Sequence, residues 1–97
     1  MTHEKKIEKY PVELKEDECQ LILDNAMVFD LLQKSLKKAA KIEGSHTIMM
    51  TLLEIQDIAG WLAAEANHAT DERKEMELGN LYEYFDGLEY DCKRQRR

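Results

Sequence analysis

The run 45-SHTIMMTLLEIQDIAGWLAAEA-66 decides the fold. Read at the helical repeat, Ile48, Leu52, Ile55, Ala59, Leu62 and Ala66 recur every three or four residues and form one apolar stripe. Ser45 or Thr47 stands where an N-cap belongs, so the spacing predicts a helix from there to about Ala66. Met49, Met50, Leu53, Gly60, Trp61 and Ala64 spread over much of the remaining circumference, which leaves Glu54 and Glu65 as a polar ridge with Gln56 and Asp57 scattered. Such a helix is expected to be covered on two sides.

Two further helices flank it. The first is expected from about Lys15 to Lys41, opening in the acids of "EDE" and closing in a lysine-rich turn, a polarity that suits the helix dipole. Leu21, Ile22, Val28, Phe29, Leu32 and Leu36 make its broad stripe, and Leu23, Met27 and Leu31 a second one. The third is expected from about Asp71 to Asp91, after the polar connection "NHATDE". No strand alternation and no internal repeat is read from the chain. The short connections predict an all-α fold: an antiparallel up-down bundle of three long helices, open to completion by a short N-terminal helix, a partner or a second copy. Residues 1–97 then form a single domain, with 1–14 an arm or short helix interrupted by Pro11 and 93–97 a basic tail.

In the third helix, "GNLYEYFDGLEYDC" packs Tyr82, Tyr84, Phe85 and Tyr90 into a short acidic stretch. Leu78, Leu81, Tyr82, Phe85, Leu88 and Cys92 share one face, whereas Met76, Gly79, Gly87 and Tyr90 lie opposite with Glu83, and Tyr84 sits at the edge. Three helices packed only on each other do not use this much apolar surface. Met49, Met50, Leu53, Trp61, Met76, Tyr84 and Tyr90 are therefore the candidate partner-binding residues, the methionines being suited to an adaptable helix groove.

Composition narrows the function classes. A formal charge of −6 speaks against non-specific nucleic-acid binding, and the apolar runs are too short to span a bilayer. Cys19 and Cys92 lie far apart without zinc-ligand spacing and are expected as reduced thiols of a cytoplasmic protein. Glu65 and His68 form half of a di-iron bundle motif, but no second copy of it exists, and neither a phosphate loop nor a nucleophile motif is present. The expectation is a non-enzyme with no cofactor, no metal and no catalytic residue; a metal-dependent bundle enzyme built on Glu65 and His68 is an alternative of a different class.

The run "CQLILDNAMVFDLLQKSLKKAAKIEG" resembles the first bundle helix of the FliS-type flagellin export chaperones, chiefly through "LILDNA". "IMMTLLEIQDIAGWLAAEANH" looks like that family's second helix and "LGNLYEYFDGLEYDC" is similar to its third, with "NLYEYF" the most specific part. The chain departs from the pattern where the family's Tyr-Asp-Gly is Leu23-Asp24-Asn25 and where a fourth helix would follow. The resemblance implies a cytoplasmic chaperone that covers a disordered, amphipathic C-terminal segment of flagellin, or of a similar secreted client, in hydrophobic helix grooves. The alternative is a self-associating structural or adaptor module, such as a homodimer, with no export client.

Overall fold

The computed structural model describes residues 8–95, and it corrects the expected all-α bundle: a two-stranded antiparallel sheet stands beside four helices. The strands are β1, Lys9–Lys15, and β2, Ser45–Thr51. Residues 9–14 of the expected arm thus belong to a strand, and residues 1–7 lie outside the described residues. β2 occupies what reads as the start of the second helix. The reason is its alternation: Ile48 and Met50 are buried while Thr47 and Met49 are exposed, and Thr47, Ile48 and Thr51 are β-branched residues that favour a pleated backbone. In β1, Val12 and Leu14 are buried in the same alternation. Gly44, at φ +116°, takes the left-handed conformation that turns the chain into β2.

The helices are α1, Glu16–Asn25, α2, Asp30–Ala40, α3, Leu52–His68, and α4, Glu72–Gln95. The expected first helix is therefore two. At the break, the Asn25 side-chain amide donates to the Leu21 carbonyl at 2.8 Å and Ala26 adopts an extended backbone, so the ladder ends. Phe29, also extended, then caps α2, with the Gln33 N–H donating to its carbonyl at 2.8 Å. α3 is capped by Thr51, whose hydroxyl accepts from the Glu54 N–H at 3.1 Å while the Glu54 carboxylate accepts from the Thr51 N–H at 2.8 Å. This reciprocal capping box fixes the strand-to-helix junction. α4 matches the expected third helix and extends through Gln95, into the expected basic tail; residues 96–97 lie outside the described residues.

The element order is βαα followed by βαα, an internal repeat that the sequence hides. The strand register is symmetric about the Val12–Ile48 pair, with Lys9 opposite Thr51 and Lys15 opposite Ser45. An approximate two-fold axis through that pair carries Lys9 onto Ser45, Lys15 onto Thr51 and Glu18 onto Glu54. Continued into the helices, the correspondence matches buried Cys19 with Ile55 and buried Ile22 with Ile58. Identity is confined to Glu18/Glu54, Gln20/Gln56 and Ile22/Ile58, so burial rather than residue type is repeated.

One core receives side chains from all six elements: Val12 and Leu14, Cys19 and Ile22, Leu32 and Leu36, Ile48 and Met50, Ile55 and Leu62, Leu78 and Phe85. α3 packs along α4, and the Gln56 side-chain amide donates to the Glu89 carboxylate at 3.2 Å across their seam. Lys93 approaches the same carboxylate at 2.9 Å and holds it below the usual carboxylate range. No helix among the described residues is long and apolar enough to cross a membrane.

Candidate functional site

The seven candidate partner-binding residues do not form one surface. Met50 is fully buried in the core and its neighbour Met49, on the outer face of the sheet, is 49% exposed. Met50 is thus corrected from groove to core, because a strand sends successive side chains to opposite faces. Tyr84 is also corrected. It is half-buried, its ring meets Phe85 edge-on at 5.8 Å, and its hydroxyl accepts the Glu13 N–H at 3.1 Å, so it serves the fold. Met76 and Tyr90 are exposed but lie toward opposite ends of α4, and the Arg94 guanidinium sits 5.8 Å from the Tyr90 ring. Leu53 and Trp61 remain, on the exposed face of α3 with Asp57, Gly60 and Ala64.

The structure adds residues that the sequence reading placed on helix stripes. Met27, Phe29 and Leu31, at 76%, 65% and 79% exposed, emerge where α1 stops and α2 starts. The signal was the string "DNAMVF", in which Asn and β-branched Val28 weaken a helix. Met27, Val28, Phe29 and Leu32 line a shallow depression completed by Glu54, Asp57 and Ile58 of α3. A second depression, lined by Gln56, Asp57, Gly60 and Trp61, adjoins it through Asp57. Linker and helix together make an apolar surface with an exposed carboxylate in its middle. Glu54 is already committed to the Thr51 cap, so Asp57 is the charge that this surface offers to a partner.

Other chemistry is weaker. A polar groove of about 260 Å³ between α1 and α4 is lined by Asp17, Glu18, Leu21, Glu77, Asn80 and Leu81, but the Glu18 carboxylate is engaged by the Lys15 N–H at 2.8 Å. His68 is exposed with Nδ1 2.7 Å from the Ala64 carbonyl, and Glu65 is half-buried; among the described residues no three His, Cys, Asp or Glu side chains are grouped so as to hold a metal ion. Cys19 and Cys92 are both free and buried. Burial raises the pKa of each thiol; the acids Glu18, Asp17 and Glu16 push Cys19 further up and Asp91 pushes Cys92. Such thiols are poor nucleophiles. No family model, curated protein or solved structure matches the chain.

Proposed function

We propose that the protein binds an amphipathic segment of another polypeptide along the surface formed by the α1–α2 linker and the outer face of α3, in the manner of an export chaperone acting in the cytoplasm. The observation that carries this reading is the cluster of exposed Met27, Phe29, Leu53 and Trp61 around Asp57. Large apolar side chains gathered on one exposed surface mark interaction sites, and Met and aromatic groups adapt to a helix laid into a groove. The central carboxylate favours a partner helix with Lys or Arg flanking its apolar face. A flagellin-like client is supported by the resemblance of "LILDNA" and "NLYEYF" alone.

Trp61 is the only tryptophan of the chain, so it reports binding directly. A synthetic C-terminal flagellin peptide should shift its emission to the blue, and a scrambled peptide of the same composition should not. Leu53→Lys with Phe29→Asp should weaken binding at least about tenfold, the scale of one hot-spot residue, and leave the circular dichroism unchanged. Equal responses to both peptides would remove sequence-specific client capture. Undiminished binding by the double variant would remove this surface from it.

A further inference from the structure

In an antiparallel pair, residues alternate between those whose backbone N–H and C=O point at the partner strand and those that point away. Four positions fix the phase. The Glu13 N–H donates to the Tyr84 hydroxyl, the Lys15 N–H to Glu18 and the Thr51 N–H to Glu54, while Pro11 has no N–H at all. The pairs Lys9–Thr51, Pro11–Met49, Glu13–Thr47 and Lys15–Ser45 therefore turn their backbone groups outward, toward the two edges of the sheet. The edge of β1 is closed: Pro11 offers no donor, Tyr84 and Glu18 occupy two more, and Lys9, Glu13 and Lys15 charge its exposed row. The edge of β2 is open from 45 to 49, its Thr51 N–H being held by Glu54 as the Lys15 N–H is held by Glu18. The outward N–H groups of Ser45, Thr47 and Met49 have no hydrogen-bond partner among the described residues, and the row Ser45, Thr47, Met49, Thr51 contains neither charge nor proline.

The pseudo-two-fold axis sharpens the contrast. It carries Glu13 onto Met49, and the helix whose Tyr84 closes the Glu13 position, α4, has 24 residues; α2, its counterpart in the first unit, has 11 and contains no tyrosine. We propose that the β2 edge pairs with the β2 edge of a second copy of this chain, antiparallel about a two-fold axis at Ile48. In that register Thr47 faces Met49 of the second copy, so outward-turned backbone groups meet outward-turned ones at the two Thr47–Met49 pairs, while the Thr51 N–H at each end stays with Glu54, and a four-stranded sheet runs through both molecules. The uncharged row matters for the choice of occupant. On a chain with a formal charge of −6, this is a row that two copies bring together with no like charges opposed. The open row shares no residue with the α3 surface, and the inference stands without the proposed function.

The test borrows the first unit's own device. Thr47→Pro installs on β2 the proline that β1 carries at the equivalent position, Pro11, and Met49→Lys adds a charge to the open row while leaving the core side of the strand alone. Light scattering on the full chain over a dilution series should give twice 11.4 kDa for the wild type and 11.4 kDa for both variants, each with wild-type circular dichroism. In the concentrated wild type, the Thr47 and Met49 amides should exchange with deuterium slowly, and faster on dilution. A monomeric wild type, a dimer that survives Met49→Lys, or fast exchange of both amides in concentrated wild type would overturn the pairing.

Discussion

The units β1α1 and β2α3 are built alike and finished differently. Each is a seven-residue strand that runs without a loop into a helix, and each junction is held by a glutamate three residues on, Glu18 or Glu54, accepting the last strand N–H at 2.8 Å. Only the second adds a side-chain cap, since Thr51 has a hydroxyl where Lys15 has none. α1 stops at Asn25, which ties itself to Leu21, while α3 runs through the equivalent position, Trp61. Shared buried positions set the common geometry. The unshared residues decide what is exposed: an apolar linker after the short helix, a tryptophan on the long one, and one open sheet edge of two.

The severest trial of this equivalence is the one buried residue the units share. Ile22 and Ile58 are both fully buried, and replacing either with Ala should cost about 2–5 kcal/mol in denaturant unfolding, with both variants melting in a single transition. If Ile22→Ala cost only a few tenths while Ile58→Ala cost the full amount, the first unit would be an appendage and the repeat a coincidence of shape. Met50→Ala should fall in the same range, whereas exposed Met49→Ala should stay within about 0.5 kcal/mol. Equal costs for the two methionines would contradict the strand.

The junctions give a smaller contrast. Thr51→Ala removes the hydroxyl that accepts the Glu54 N–H and should destabilise by about 1 kcal/mol. The converse change, Lys15→Thr, offers a hydroxyl to the Glu18 N–H, which already donates to the Asp17 carboxylate at 2.9 Å, so it should stabilise by less than about 1 kcal/mol. Chemical denaturation measures both. A neutral Lys15→Thr would mean that the Glu18 and Asp17 carboxylates already fix that junction.

α4 was legible because all its burial information is local. Leu78, Leu81, Phe85 and Cys92 recur at the helical period over an uninterrupted stretch, and the structure buries all four. β2 was not legible for the opposite reason. Ile48 and Leu52 also satisfy a helical spacing, and the partner that makes Ser45–Thr51 a strand, Lys9–Lys15, is remote in sequence. The same error hid the repeat, because joining Ser45–Thr51 to α3 and Glu16–Asn25 to α2 erases the boundaries at which the units match. For the candidate surface, Leu53 and Trp61, expected to face a partner, lie exposed on α3, whereas Met27 and Phe29 do not stand out in the sequence because a continuous helix would turn them onto its stripes.

The smallest effect concerns Tyr84, where the second unit reaches back to close the edge of the first. Tyr84→Phe leaves the ring against Phe85 and removes only the acceptor of the Glu13 N–H, so the folding cost should be about 0.5–1 kcal/mol, with water able to replace the phenol in part. Burial raises the Tyr84 pKa; the Glu13 N–H bond opposes that shift, and the carboxylates of Glu18 and Glu13 add to it. Below the ordinary tyrosine value, about 10, the phenol is protonated in folded and unfolded chains alike, and the stabilising contribution is fully present. As pH rises past that value the unfolded chain ionises first, and the contribution is lost progressively until the folded phenol ionises too. Wild-type stability should therefore decline more steeply than that of Tyr84→Phe across that alkaline window, and the variant's absorbance titration should lack the late-ionising phenol. Parallel declines would show that burial and the neighbouring carboxylates do not hold the Tyr84 phenol protonated above the ordinary tyrosine value.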